Sequence, residues 1–563
     1  MPADTLRGMN EICNIAAALP RMAAERPDQI AIRCPTGSRG DGAVEYGIEL
    51  SYAELDRRSD AIAAGLGAAG ITRGMHAALM VRPSPELFLL MFALFKLGAV
   101  PVLIDPGIAR KALKQCLDEA APQAFIGIPL AQAARCLLGW ARGSVRIPVT
   151  VGRRWFWGGP TLAALEARGA RSPFSMARTE ADEVAALLFT SGSTGAPKGV
   201  VYRHRHFIAQ VDLLRAAFGI APGGVDLPTF PPFALFDPAL GLTSVIPDMD
   251  PTRPASADPR KLIHAIRRFG VTQMFGSPAL LDTLSRYGAA SGTKLPGLKR
   301  VLSAGAPVPP EVVARMQAML DEDAEIWTPY GATECLPVAV IEGRELRQTR
   351  AATEAGAGTC IGRPVPGNEV RLIAISDAAI ADWREAREVP AGEVGEITVA
   401  GPSATDLYHA RPQATALAKI RERLPAGGER VVHRMGDLGW FDEHGRLWFC
   451  GRKSQRVETA AGPLYTEQVE PLFAAHPQVR RAALVGVGPF GQQTPVVCIE
   501  AAPDLPAARR SELVEALKTL AGAHPHTARL QTFLFHPRFP VDIRHNAKIG
   551  REALARWAAK RVG

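Results

Sequence analysis

The sequence has no paired cysteine motif and no run of five or more basic residues. Its eight cysteines are scattered without a Cys-x-x-Cys pair, which excludes a zinc finger. Isolated cysteines are typical of a reducing compartment, so we expect a cytoplasmic protein. The net charge is +9, yet the densest basic cluster, at 203–206, holds only two arginines. A nucleic acid or an anionic membrane could use this charge, but the pattern favours a mildly basic enzyme with a phosphate-bearing ligand, and we expect no nucleic-acid partner.

An uninterrupted membrane-spanning run is also missing. The longest apolar stretch, 87–104, is broken by Lys96, Gly98 and Pro101. This pattern predicts a buried helix up to Lys96 and a buried strand over 99–104. Glu11, Arg21 and Glu25 likewise interrupt any signal-peptide core near the N-terminus. We therefore expect no transmembrane segment.

The 563 residues are too many for one compact core and predict at least two domains. Strand and helix patterns alternate, with a capping-box-like helix start at Ser51, which predicts an α/β fold with largely parallel sheets. After the polar stretch 451–454 the chain restarts as a unit of small-domain size. We predict a large N-terminal domain of stacked α/β subdomains over 1–451, a hinge at 452–454 and a small, mobile α+β cap domain over 455–563.

The most informative stretch runs from Leu187 to Val200. An apolar strand leads into a loop of four hydroxyl residues, three glycines and one lysine. Glycines let backbone N–H groups approach anionic oxygens, and the lysine adds a positive charge. The loop is not a Walker loop, because Pro197 and Gly199 stand where that pattern needs Gly and Ser or Thr. The stretch predicts phosphate binding.

The loop TSGSTGAPKG resembles the signature of the adenylate-forming enzymes, which include acyl-CoA synthetases, peptide-synthetase adenylation domains and beetle luciferases. The resemblance implies that the chain binds ATP and activates a carboxylic acid as its acyl-adenylate. It implies a catalytic role for Lys198. The ATP-binding residues that it implies in this loop are Thr190, Ser191, Gly192, Ser193, Thr194, Gly195 and Lys198.

Further segments match the same family in order. Gly305, Ala306 and Pro307 correspond to the segment that lines adenine. In 328–334 the resemblance implies that Tyr330, followed by Gly331, stacks on adenine, that Thr333 binds the α-phosphate, and that Glu334 holds Mg²⁺. A carboxylate beside a triphosphate needs such a cation between them, and Mg²⁺ prefers oxygen ligands.

Two late segments complete the resemblance. Asp437 matches the aspartate that accepts the ribose hydroxyls, and Arg452 matches the arginine beside ribose and phosphate. Ser454 stands where the family usually has Asp or Lys at the hinge. Lys548 matches the lysine that bridges carboxylate and phosphate during adenylation, although Ala547 replaces the usual glycine.

Other stretches, including FPPFALFDPALG at 230–241, resemble the β-lactone-forming branch of the family in bacterial olefin biosynthesis. That resemblance implies a long-chain 2-alkyl-3-hydroxy fatty acid whose own hydroxyl displaces AMP. It also implies thiolase, hydrolase and reductase enzymes as assembly partners. The residues expected to line the acyl pocket are Phe233, Phe236, Asp237, Leu242, Met274, Phe275, Gly276 and Pro278.

The base that takes the hydroxyl proton is left open. Asp237, His204 and His206 are candidates by chemical type, and each has a structural alternative as a helix cap, a pocket wall or a surface residue. Three other functions also remain open: a long-chain acyl-CoA synthetase, a carrier-loading domain in a larger assembly, and a catalytically inactive scaffold.

Overall fold

The computed structural model describes residues 13–105, 107–190, 197–541 and 549–562. Strands and helices alternate along most of this length, and the helices cover the faces of two large sheets. The predicted α/β class is confirmed, with a larger N-terminal and a smaller C-terminal domain. The helices of the larger domain are Ala18–Glu25, Tyr52–Ala68, Pro85–Leu97, Arg110–Ala120, Pro129–Leu138, Leu162–Gly169, His204–Phe218, Asp237–Leu240, Pro259–Phe269, Pro278–Ser291, Pro310–Gln317, Gly343–Gln348, Arg350–Glu354 and Pro412–Ala418.

A six-stranded sheet carries the predicted phosphate loop. Its strands, in spatial order, are Lys198–Arg203, Val184–Thr190, Val100–Ile104, His76–Met80, Ala124–Gly127 and Ile147–Thr150. The first two strands form an antiparallel hairpin in which Lys198 pairs with Thr190, whereas the other neighbours are parallel. The hairpin therefore brings the backbones of Thr190 and Lys198, which flank the central part of the predicted phosphate loop, together at one edge of the sheet.

A fourteen-stranded sheet forms the second layer within the described residues. Its strands, in spatial order, are Glu369–Ile373, Gly395–Ala400, Glu429–Phe441, Leu447–Arg452, Thr359–Pro364, Cys335–Glu342, Glu325–Ala332, Arg300–Leu302, Gln273–Phe275, Val225–Pro228, Thr243–Val245, Ile30–Cys34 and Ile48–Ser51, with Lys419–Arg423 paired to Glu429–Phe441. A two-stranded sheet, Gly37–Ser38 with Val44–Glu45, stands apart.

The second sheet is parallel only in its middle, from Ile30–Cys34 to Glu325–Ala332. Beyond that point its neighbours are antiparallel. The prediction of largely parallel sheets was therefore wrong for this half. The physical reason is that short turns join several of these strands, and a parallel connection needs a crossover of a dozen or more residues.

The long apolar stretch folds as predicted. Helix Pro85–Leu97 ends at Gly98, whose φ of +69° suits a glycine, and strand Val100–Ile104 follows. Lys96 is buried and lies 2.6 Å from both Asp56 Oδ1 and Asp60 Oδ1, so its charge is compensated by the neighbouring helix. None of the helices in the described ranges is long and apolar enough to cross a membrane.

The smaller domain has its own apolar core. Helices Thr466–Ala474, Arg510–Gly522 and Arg551–Val562 pack with a three-stranded sheet of Val479–Val487, Thr494–Ala501 and Phe533–Phe535, and a hairpin of Val457–Thr459 and Gly462–Leu464 precedes them. The larger sheet's strand Leu447–Arg452 runs into the 3₁₀ turn Lys453–Gln455. The division at 451 and 455 stays a prediction.

Candidate active site

The candidate site lies where parallel strands of the second sheet end. Phe275, Leu302 and Trp327 pair in register on three adjacent strands. The segment 303–307 follows the middle strand, and Gly305 has a φ of +97°. Because the carboxyl ends of parallel strands meet at one edge, the expected adenine segment lies beside the segment 328–334.

A tyrosine links the predicted lysine and the predicted metal carboxylate. Lys198 Nζ lies 5.0 Å from the ring centroid of Tyr408, a cation–π distance. The Tyr408 hydroxyl donates to Glu334 Oε1 at 2.5 Å. The Glu334 carbonyl accepts from both the backbone N–H and the hydroxyl of Thr405, at 2.8 and 3.0 Å. The Tyr408 side chain therefore contacts a cation with its ring and a carboxylate with its hydroxyl.

Lys419 lies next to this group and was not predicted. Its Nζ donates to the carbonyl of Thr405. The backbone N–H of the same threonine donates to the Glu334 carbonyl. Burial lowers the pKa of Lys419 to about 8, and the nearby Glu334 opposes that shift. Neither Tyr408 nor Lys419 carried a sequence signal, because their partner Glu334 is more than 70 residues away in the chain.

Asp437 is held between two other predicted residues. The Tyr330 hydroxyl donates to Asp437 Oδ2 at 2.6 Å, and Arg452 Nη1 lies 2.9 Å from Oδ1. Pairing of strands Glu429–Phe441 and Leu447–Arg452 places Asp437 opposite Arg452. Burial raises the pKa of Asp437, while Arg452 counteracts that shift. Oδ1 is buried and makes no hydrogen bond of good geometry, so it retains accepting capacity for a ligand hydroxyl.

Aromatic side chains of the predicted acyl segment lie at the same edge of the sheet. The rings of Phe233 and Phe275 meet edge to face with centroids 4.5 Å apart. The Phe236 ring lies 6.1 Å from Phe207, which stacks on Tyr202 at 4.6 Å. The Tyr202 hydroxyl donates to the carbonyl of Thr333 at 2.5 Å. An aromatic row thus connects the acyl segment to the nucleotide segment, and sequence reasoning missed the Phe207 and Tyr202 links.

Two expected acyl-pocket residues have packing contacts in the core of the larger domain. Met274 is fully buried in the apolar core with Leu227, Leu281 and Val301, because strand alternation directs it away from the face of Phe275. A Cβ atom on Gly276 would lie 2.9 Å from side-chain atoms of Leu281. Gly276 therefore permits close packing against helix Pro278–Ser291. We assign both residues to packing.

Asp237 belongs to a buried pair of carboxyl groups. It starts the short helix Asp237–Leu240 and accepts a hydrogen bond from the Ser244 hydroxyl. It also hydrogen-bonds Asp226, whose pKa burial raises to about 7, and burial with Asp226 alongside raises the pKa of Asp237 well above its usual range. A carboxyl group that keeps its proton donates a hydrogen bond and cannot act as a base.

The two histidine candidates also have structural partners. His204 Nδ1 accepts from the Ile15 N–H at 3.2 Å, and His206 Nδ1 accepts from the Arg203 N–H at 3.0 Å. Burial lowers the pKa of His204 to about 4 and that of His206 to about 3, so both rings are neutral. They anchor the start of helix His204–Phe218 and the N-terminal segment, which favours the structural alternative for each.

Several predicted site residues are not among the residues that the structure describes. Ser191, Gly192, Ser193, Thr194, Gly195 and Lys548 lie outside the described residues, as does the side chain of Thr190. The segment carrying Lys548 is flanked by a bridge between Val541 and Ile549. Just beyond it, the Arg551 guanidinium pairs with Glu470 at 2.5 Å.

The described carboxylates fit a magnesium ion bound mainly through phosphate. In the described ranges no cluster of three His, Cys, Asp or Glu side chains could hold a metal. Glu334 instead offers one carboxylate beside the two lysines. Mg²⁺ commonly takes one or two protein carboxylates together with substrate phosphates and water.

Comparison with known proteins gives one family. The model of the AMP-binding enzyme family matches residues 19–409. An olefin beta-lactone synthetase of Xanthomonas campestris pv. campestris is 68% identical over 98% of this chain and 98% of its own length. Another of that name, from Stenotrophomonas maltophilia, is 67% identical over 98% of this chain and 99% of its own length.

Solved structures agree on the fold. The amide bond synthetase of Marinactinospora thermotolerans has a TM-score of 0.77 at 24% identity, covering 97% of this chain and 99% of that one. The O-succinylbenzoate coenzyme A synthetase of Bacillus subtilis, in complex with AMP, has a TM-score of 0.73 at 20% identity, covering 95% and 97%. The chain belongs to the AMP-binding enzyme family, and within it to the group of the olefin beta-lactone synthetases.

Proposed function

We propose that this protein is an ATP-dependent β-lactone synthetase that acts on a long-chain 2-alkyl-3-hydroxy fatty acid. The observation that carries the proposal is the identity of 68% and 67%, over 98% of the chain, to two enzymes named olefin beta-lactone synthetase. The meeting of an aromatic acyl segment with the nucleotide segments at one sheet edge supports it. The predicted cytoplasmic location and the predicted assembly with thiolase, hydrolase and reductase enzymes form part of this proposal.

In the first half-reaction a carboxylate oxygen of the substrate attacks the α-phosphorus of ATP, and pyrophosphate leaves. Asp437 accepts the ribose hydroxyls, the Tyr330 ring lies against adenine, and Gly305 leaves room for the base. Lys198 and Thr333 face the phosphates, and Glu334 is the residue that would hold Mg²⁺. When bound, the ion neutralises phosphate charge. Catalysis of this kind rests on positioning and electrostatic stabilisation.

Lys548 is assigned to the charge that develops as carboxylate and phosphate approach each other. We expect Lys548→Ala to slow acyl-adenylate formation by about a hundredfold or more while leaving the Kd for ATP nearly unchanged. ATP–pyrophosphate exchange measures the first quantity and calorimetry the second. Parental exchange rates in the variant would remove the assigned role. Absence of exchange in the parent enzyme would point to an inactive scaffold.

In the second half-reaction the 3-hydroxyl oxygen attacks the acyl carbon, loses its proton, and AMP departs with its bonding electrons. The product is a four-membered lactone, so no external thiol is consumed. Ring strain opposes closure, and the pocket must hold the hydroxyl close to the acyl carbon. The adenylate must also be protected from hydrolysis. The aromatic row from Phe236 to Tyr202 can exclude water from it.

The deciding experiment is a reaction without coenzyme A. A 3-hydroxy acid, ATP and Mg²⁺ are incubated with the enzyme, and the product is analysed by mass spectrometry. We expect a product with the mass of the acid minus water, together with AMP. Formation of product only after coenzyme A is added would instead identify a long-chain acyl-CoA synthetase. A simple fatty acid without the hydroxyl is the matched control and should stop at the adenylate.

A further inference from the structure

One face of the larger domain exposes an unusual set of apolar side chains. It consists of helix Pro129–Leu138 and the loop 151–158, which flank the edge strand Ile147–Thr150 of the six-stranded sheet. We call it the Leu–Trp face. Its exposed side chains are Leu130 (64%), Leu137 (79%), Leu138 (52%), Trp155 (52%) and Phe156 (73%). Five of the ten exposed large apolar side chains in the described residues thus lie within 27 consecutive positions.

The exposed leucines and the aromatic loop belong to neighbouring elements. Leu130 and Leu137 are seven residues apart, so they project from the same side of their helix. The opposite side is held to the sheet by Gln132, which donates to the carbonyls of Phe125 and Val149 at 3.1 and 2.9 Å. The start of the loop adjoins the start of the helix, since a Cβ atom on Gly152 would lie 4.0 Å from the ring of Pro129.

The tip of the loop is built on a buried tryptophan. Trp157 Nε1 donates to the Thr150 hydroxyl at 2.8 Å, which ties the loop to the edge strand. The Trp155 and Phe156 rings lie 5.4 and 5.0 Å from the Trp157 ring. Both outer rings are therefore held in place, yet they point into solvent. Such an arrangement exposes apolar surface that the fold of the chain itself does not use.

The sequence that carries the Leu–Trp face is basic. From Ala120 to Leu165 the sequence has no Asp or Glu but five arginines, at 135, 142, 146, 153 and 154. Those at 142, 146, 153 and 154 are exposed. Within the described part of the chain none of the five forms an ion pair with a carboxylate, whereas many other arginines do. The arginines thus leave their charge available to an external anion.

We propose that the Leu–Trp face docks the enzyme on the surface of an anionic phospholipid bilayer. Indole, phenyl and leucine side chains bury at the boundary between headgroups and acyl chains, while arginines contact the lipid phosphates. Protruding apolar side chains in a segment of exposed arginines without carboxylate partners are the composition of an interfacial anchor. Docking of this kind needs no spanning helix and goes beyond the proposed reaction.

Vesicle co-sedimentation at physiological ionic strength tests the proposal. The full-length protein is mixed with phosphatidylcholine vesicles that contain or lack phosphatidylglycerol. We expect binding to the anionic vesicles and little to the neutral ones. Trp155→Ser combined with Phe156→Ser should weaken binding about fivefold or more. The matched control is Phe490→Ser, because Phe490 is also 63% exposed but lies in the smaller domain; it should bind as the parent does.

A charge pair of variants separates this face from the general attraction of a basic protein to anionic lipid. Arg153→Glu with Arg154→Glu should weaken binding by about thirtyfold or more, since loss of each arginine near the surface costs about 1 kcal/mol and each glutamate adds repulsion. Arg347→Glu with Arg387→Glu changes the net charge equally at other exposed sites and should cost far less. All variants should keep parental ATP–pyrophosphate exchange, which verifies their folding.

Three results would overturn the proposal. One is no binding of the parent enzyme to anionic vesicles. The second is that a variant of the Leu–Trp face binds vesicles no more weakly than its control. The Arg153 and Arg154 variant is compared with the Arg347 and Arg387 variant, and the Trp155 and Phe156 variant with Phe490→Ser. The third is self-association without vesicle binding. The sedimentation coefficient would then rise with protein concentration in the parent but not in the Trp155 and Phe156 variant, which would identify the face as a protein–protein interface.

Discussion

At the scale of single residues, Asp437 is the carboxylate through which the nucleotide segments meet. We expect Asp437→Asn to weaken ATP binding about ten- to a hundredfold, because hydrogen bonds to a charged acceptor are worth about 1.5–3 kcal/mol. Tyr330→Phe is the matched variant: it keeps the ring but loses the hydroxyl that donates to Asp437. It should weaken binding less than about fivefold. Titration calorimetry with ATP measures both, and an Asn variant with parental affinity would exclude Asp437 from the ribose site.

The carboxyl pair of Asp226 and Asp237 makes stability depend on pH. Burial raises the pKa of Asp226 to about 7, from about 4 in the unfolded chain. The folded state therefore binds this proton more tightly, and its stabilising contribution is complete below about pH 4 and is lost as pH rises toward 7. Asp226→Asn carries no such proton, so its stability relative to the parent should increase by about 3 kcal/mol between about pH 5 and about pH 8.

Scanning calorimetry of parent and variant at about pH 5 and about pH 8 measures the effect as a difference in Tm. The variant should gain several degrees on the parent at the higher pH. A pH-independent difference would show that Asp226 does not titrate in this range.

At the scale of elements, two helices approach through glycines. A Cβ atom on Gly169 would lie 1.9 Å from the Ala61 carbonyl oxygen, and one on Gly65 would lie 2.2 Å from that of Leu165. We expect Gly169→Ala to push helices Tyr52–Ala68 and Leu162–Gly169 apart and to lower stability by about 2 kcal/mol or more. The lowering of Tm in thermal unfolding measures this.

Helix Tyr52–Ala68 contains a control position. A Cβ atom on Gly67 would meet its nearest neighbour, Leu97 Cδ2, at 3.5 Å, an ordinary contact. Gly67→Ala should be neutral or stabilising by up to about 1 kcal/mol, since alanine favours the helix over glycine. Equal effects of the two substitutions would argue that helix propensity, and not contact distance, decides the outcome.

Local patterns predicted the elements well where they were strong. The break of the apolar run at Gly98 and the helix start at Ser51 both follow from local signals at the helix ends. The antiparallel half of the second sheet could not be predicted, because strand direction depends on turns and pairing partners far apart in the chain. Motifs located Lys198, Glu334 and Asp437, but not Tyr408 or Lys419, whose role arises only from contact across the fold.

At the scale of the whole molecule, ion pairs hold the turn Lys453–Gln455, next to which we predict the hinge between the two domains. Lys453 Nζ lies 2.9 Å from Glu396 Oε1, and the Arg456 guanidinium lies 2.5 Å from Asp377. We expect Asp377→Asn to expose Arg456, whose side chain is 6% exposed, and to speed tryptic cleavage after it by about threefold or more. Limited proteolysis read by mass spectrometry measures this.

The control is Asp382→Asn, because Asp382 pairs with Arg384 in an exposed turn of the larger domain. In the Asp382→Asn variant, tryptic cleavage after Arg456 should proceed at the parental rate. Acceleration by both substitutions would mean that the ion pair of Arg456 does not protect the turn.

The position of Arg452 has a thermodynamic consequence. It is the last residue of its strand, it contacts Asp437, and the clamped turn begins one residue later. A nucleotide whose ribose hydroxyls donate hydrogen bonds to Asp437 would compete with Arg452 for that carboxylate, next to the predicted hinge. Orientation of that domain and nucleotide affinity are then coupled with the same free energy in both directions. Whichever orientation binds ATP more tightly is the one that ATP stabilises, so a substitution at the turn alters affinity without touching the ligand.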